Sequence, residues 1–224
     1  MRLPVALSLT TLLLASACVP RVALVPGGPA GPVAGSGPLA VPLVRVGDPV
    51  GLRIAERAEA LLTSDGRLLR KDCSGLVETV YRDLGLPLPE LEVPGNSVAR
   101  EFRGFQAQGA LAHERPLPGD LAFFDDTYDR NRNGRVDDPL THVAIVTALD
   151  LDGTATLVHY GSKGLAHFKM NLERTHAGLE HGTRFNDRLR WQKKRDPPGT
   201  RYLAAELFAG LGRPPEPPTS LAAR

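Results

Sequence analysis

Two cysteines, Cys18 and Cys73, are all that this 224-residue chain contains. No disulfide framework can hold it, so it must fold on its own hydrophobic core. Neither sign of charge dominates: 27 basic and 25 acidic residues leave a formal +2. That balance lacks the concentrated basic face of a nucleic-acid binder. The short cluster Lys193-Lys194-Arg195 reads as a solvated turn. The apolar run Leu3 to Leu14 is too short, and too close to the N-terminus, to span a membrane by itself. No internal repeat is present.

The termini carry their own signals. Met1-Arg2, the apolar run and Ala15-Ser16-Ala17-Cys18 form an export signal over residues 1–18, with one positive charge, an apolar core and small residues before a cut site. Small residues ending in Cys also resemble a bacterial lipobox, which predicts acylation of Cys18 and a lipid-anchored exported protein in the periplasm or on the outer surface. Ala15-Ser16-Ala17 fits ordinary cleavage after Ala17 as well. Residues 19–45 are rich in Pro, Gly, Ala and Val without an amphipathic period and read as a tether. Arg213-Pro214-Pro215-Glu216-Pro217-Pro218 places a disordered tail over residues 211–224. One domain, residues 46–210, remains, and a monomer is expected.

Within it, helical periodicity comes first. Leu52 to Leu62, Cys73 to Leu84 and Asn96 to Gln108 carry apolar faces at helical spacing, the last capped by Asn96 or Ser97 with Phe102 and Phe105 turned inward. Strand-like runs follow at Leu121 to Phe124, His142 to Leu149 and Thr154 to Tyr160, with Leu165 to Met170 as a further strand and Asp152-Gly153 as a hairpin turn. Helices followed by an antiparallel sheet give an α+β domain, its N-terminal helices packed on the sheet.

If Cys18 carries lipid or lies in a tail, Cys73 is the lone thiol of the domain, either a buried small hydrophobe or a nucleophile. Its setting, Asp72-Cys73-Ser74-Gly75, is the first turn of a helix. Unpaired N–H groups and the helix dipole favour thiolate there, and the amide of Cys73 or Ser74 can help to bind an oxyanion. Iodoacetamide labelling well below the pH of a free thiol is the expectation. His142 opens one strand and His159 lies near the end of the next. With the hairpin turning at Asp152-Gly153, both imidazoles fall at one end of the sheet, where His142 can take the thiol proton while His159 orients its ring.

Asp72-Cys73-Ser74-Gly75-Leu76-Val77, Leu117-Pro118-Gly119-Asp120-Leu121-Ala122-Phe123-Phe124, His142-Val143-Ala144-Ile145-Val146 and His159 resemble the successive blocks of the NlpC-type cell-wall cysteine peptidases, in that family's order over about 130 residues. The resemblance implies a papain-like fold and a Cys-His-His site: Cys73 as nucleophile, His142 as base, His159 as orienting group, with Asp72 and Ser74 flanking substrate. It implies hydrolysis of peptidoglycan stem peptides without a catalytic cofactor. The segment Thr63 to Lys71 lacks the tyrosine and Trp-Gly-Gly run that members recognising the free stem peptide carry, so an amidase on the same scaffold stays open. A catalytically silent wall-binding lipoprotein does too.

One further pattern stands apart. Asp129, Asn131 and Asn133 alternate before Gly134, like the first half of a calcium loop, and position twelve is Leu140 rather than Glu. A structural calcium ion held by Asp129, Asn131, Asn133, Asp137 and Asp138 is expected to order the approach to His142.

Overall fold

The computed structural model describes residues 48–63 and 67–214. The expected signal segment with Cys18, the tether and residues 215–224 of the expected tail lie outside the described residues. Three helices lead: α1 (Pro49–Thr63), α2 (Cys73–Asp83) and α3 (Ser97–Ala107). Pro49 starts α1 where its fixed φ suits a helix and its missing N–H costs nothing. Ile54, Ala55, Ala58 and Leu61 form the buried stripe of that helix. The Asp72 carboxylate caps α2 by accepting the Gly75 N–H at 2.7 Å. Asn96 caps α3 from the Ala99 N–H at 2.8 Å.

The strands are β1 (Leu111–Ala112), β2 (Leu121–Phe124), β3 (His142–Leu149), β4 (Ala155–Gly161), β5 (Gly164–Met170), β6 (Leu179–Glu180), β7 (Thr183–Arg184) and β8 (Phe208–Gly212). Six of them form one antiparallel sheet in the order β1-β8-β2-β3-β4-β5, and β6 and β7 form a separate hairpin. The fold is thus α+β, helices followed by an antiparallel sheet.

Side-chain alternation gives the sheet two buried faces. Leu121, Phe123, Val143, Ile145 and Val158 meet the helices. Ala122, Phe124, Ala144, Val146, Leu157 and Met170 face the other way, under Ala204, Ala205 and Leu207 of the irregular C-terminal segment. Phe123 is fully buried, edge-on to Phe102 at 5.3 Å between ring centroids. Truncating such a ring costs about 3–5 kcal/mol.

The C-terminal boundary moves. β8 runs to Gly212, past the expected limit at residue 210, and lies between β1 and β2 in the sheet. Leu211 is fully buried, and Arg213 pairs with the buried Asp120 at 3.0 Å. Phe208-Ala209-Gly210-Leu211-Gly212 carries no β-branched residue, so its strand character comes from the partners it pairs with rather than from its own preference. Among the described residues no helix is long and apolar enough to cross a membrane.

Candidate active site

Cys73 is the first residue of α2, partly buried against the helix-side core. A Cβ at Gly75 would overlap the Arg70 carbonyl, so the chain leading into the helix packs directly on its first turn. The backbone N–H groups of Val143 and Ser74 lie near enough to the Cys73 sulfur to lower its pKa. The sulfur therefore sits at the head of β3, beside the residue that follows His142. Pairing of β3 with β4 begins at Ile145 and Val158, which leaves His142 and Val143 at the open end of that ladder.

The two histidines meet across the same end. His142 Nε2 lies 2.9 Å from His159 Nδ1, with the rings edge-on at 5.1 Å between centroids. Phe124 flanks His142, and Phe168 lies 4.8 Å from the His159 ring centre. A Cβ added at Gly161 would come within 3.0 Å of the His159 ring, so this glycine leaves the room in which the ring stands. With Nε2 engaged, Nδ1 is the ring nitrogen of His142 left for proton transfer.

Burial sets the charge state. Loss of water pushes the Cys73 thiol up to about 11, against these two N–H groups, and the Glu101 and Asp72 carboxylates push it further. His142 is pushed down to about 3 by burial and by neighbouring His159. Burial also lowers His159, to about 4, against the opposing pull of Asp187. At neutral pH the resting state is a neutral thiol beside two neutral imidazoles. Desolvation thus works against the thiolate expected from the helix N-terminus.

The flanking residues take different places. Asp72 is committed to capping α2 and to an ion pair with Arg70 at 3.2 Å. Ser74 is buried, 3% exposed, beside Glu101. Two residues escaped sequence reasoning. Tyr128, 49% exposed in the β2–β3 connection, stands within the electrostatic reach of Cys73, which raises its pKa after burial has done so. Glu101, in α3, is fully buried with no hydrogen-bond partner on either carboxylate oxygen. Burial pushes it up to about 8; Ser74 opposes this, and Glu90 and Glu78 add to it. Only an acidic residue on the apolar face of a predicted helix could have flagged Glu101.

The Asp/Asn loop joins β2 to β3 and is cross-braced by its own side chains. Asp138, 2% exposed, accepts the N–H groups of Arg130 and Asn131 at 3.0 and 3.2 Å. Asp137 takes the side-chain amides of Asn131 and Asn133 at 3.2 and 3.0 Å. Asp129 accepts the Gly134 N–H through Oδ2 at 3.1 Å, while its Oδ1 is buried without a partner. Thr127 and Thr141 close the base of the loop at 2.8 Å, next to His142.

No protein-family model, no curated protein and no solved structure matches this chain. The functional reading therefore rests on the geometry. A cavity of about 690 Å³, lined by residues that include Arg184, Asp187, Arg188, Tyr202 and Glu206, contains none of Cys73, His142 and His159.

Proposed function

We propose that this protein is an exported cysteine hydrolase of the NlpC-like, papain-like type that cleaves amide bonds in peptidoglycan stem peptides. The observation that carries the reading is the His142–His159 hydrogen bond at 2.9 Å at the end of β3 and β4, where the Val143 N–H comes near enough to the Cys73 sulfur to lower its pKa. The proximity of Cys73 on α2, His142 on β3 and His159 on β4 to one end of the sheet supports a nucleophile, a base and an orienting group, the pattern of nucleophilic catalysis.

For Nδ1 of His142 to accept a proton, its Nε2 must carry the hydrogen and donate it to His159 Nδ1, which fixes both tautomers. As the sulfur attacks the carbonyl carbon, the thiol proton passes to His142 Nδ1. The N–H of Cys73, at the first helical position and without an intrahelical partner, is the donor best suited to the oxyanion. Collapse breaks the C–N bond, with the His142 proton going to the departing amine. Water then attacks the thioester, giving its proton to His142. The C–S bond breaks, and that proton returns to the sulfur.

The decisive experiment is digestion of purified sacculi with mass spectrometry of the released fragments. The wild type should release peptides with a defined new terminus, and Cys73→Ala should release none while keeping its circular dichroism spectrum. Fragments from Cys73→Ala would refute the assignment. The raised pKa of Cys73 favours a second reading, a wall-binding lipoprotein without turnover, which predicts sacculus binding and no fragments from the wild type. We further propose that calcium joins Asp129, Asn131, Asn133, Asp137 and Asp138, and that a lipid on Cys18 holds the protein at a membrane. The buried Oδ1 of Asp129 supports the first, and the sequence Ala15-Ser16-Ala17-Cys18 supports the second.

A further inference from the structure

We infer that Glu78, Glu90 and Glu101 bind a divalent cation on the helix side of the sheet, behind Cys73. One carboxylate oxygen from each lies within 4.8 Å of the others. Oxygens ligating a common ion at about 2.3–2.6 Å stand roughly 3.3–5.2 Å apart, so this spacing fits a shared cation. Glu101 supplies the independent observation: it is 0% exposed, and neither of its oxygens has a hydrogen-bond partner. A carboxyl group withdrawn from water is held neutral unless it is hydrogen-bonded, paired with a cation or coordinating a metal, and a cation shared with Glu78 and Glu90 would let Glu101 be charged there.

The neighbouring cation does not fill that role. Arg70 reaches Glu78 at 2.8 Å, but its other bonds go to Asp72 and Ser97. Of the three glutamates Arg70 pairs with Glu78 alone, and it shares that charge with Asp72. The ligands are all hard oxygens with no imidazole or thiolate, which selects calcium, manganese or magnesium over zinc or copper. Glu90 is exposed and Glu101 buried, so the cluster runs from solvent to core and gives an ion a way in. Glu78 lies in α2, Glu101 in α3 and Glu90 in the connection between them. A bound ion would tie these three segments together directly behind the turn that carries Cys73.

This inference is independent of the hydrolase reading, and its test does not use activity. Calcium and manganese are titrated separately into the purified full chain by calorimetry, with thermal unfolding followed in parallel. To set aside the Asp/Asn loop, the titration is repeated on the double variant Asp129→Asn, Asp137→Asn. In the loop variant the expected result is one ion per chain with at least one of the two metals. Uptake should persist in the loop variant, weaken at least tenfold in Glu90→Gln and in Glu78→Gln, and raise the unfolding temperature only where it occurs. Glu90 is exposed, so its variant tests binding without disturbing the core. Absence of uptake with both metals, uptake lost in the loop variant, or uptake unchanged in both glutamine variants would each overturn the proposal.

Discussion

His142→Ala, read through the reactivity of Cys73, tests the electrostatics of the site most directly. With the thiol pushed up to about 11 by burial, about one chain in 10,000 is ionised at pH 7, against roughly 3% for a free thiol near 8.5. The thiolate fraction alone makes alkylation about 300-fold slower. A more basic thiolate is intrinsically more nucleophilic, with a Brønsted slope of about 0.4–0.5, which recovers roughly 10- to 18-fold. The net expectation is labelling by iodoacetamide about 20- to 30-fold slower than a free cysteine at pH 7. His142, lowered to about 3, carries no charge at that pH and lends the thiolate none. Its removal should therefore shift the alkylation midpoint by less than about half a unit. The assay is a pH series from 6 to 11, quantified by mass spectrometry on the peptide containing Cys73, since Cys18 is a second thiol. A wild-type midpoint below 8.5 that climbs by a unit or more in His142→Ala would mean a thiolate–imidazolium pair and would refute the neutral resting state.

Three other measurements bear on the same structure. Gly161→Ala presses a methyl group within 3.0 Å of the His159 ring. It should lower kcat roughly tenfold by misplacing the orienting group, with KM and the unfolding midpoint little changed; unaltered kcat would exclude a positioning role for that ring. Arg213→Ala strips the partner from Asp120, whose side chain is 2% exposed while that of Arg213 is 40% exposed, and should cost about 1–2 kcal/mol in urea unfolding, whereas a cost near zero would detach residue 213 from the fold. His142 and His159 titrate at about 3 and about 4 in the folded protein, below the ordinary 6.5. As pH falls beneath about 6.5 the unfolded chain takes up protons that the native state refuses. The stability these rings contribute is thus present above that pH and is lost progressively toward about 4. Urea midpoints taken from pH 7.5 down to 4.5 should fall, and fall less steeply in the His142→Ala, His159→Ala double variant.

Local pattern determined much of this protein. Three helices and four main strands were legible because each has its own period, and Asp72 and Asn96 announce helix starts through caps that need only neighbouring residues. The meeting of His142 with His159 also followed from sequence, since a short hairpin turn dictates which strand ends face each other. Tertiary structure decided the remainder, for a common reason: each of the missed features depends on groups distant along the chain. β8 has no strand signature of its own and became a sheet member because β1 and β2 each offered it an edge. Burial pushes the Cys73 thiol up, against the Val143 N–H of β3 and with the carboxylate of Glu101, and a local argument from the helix dipole omits all three. Glu78, Glu90 and Glu101 converge only once α2 and α3 have packed. Periodicity and caps are short-range properties, whereas desolvation and charge proximity are set by the three-dimensional neighbours that folding supplies.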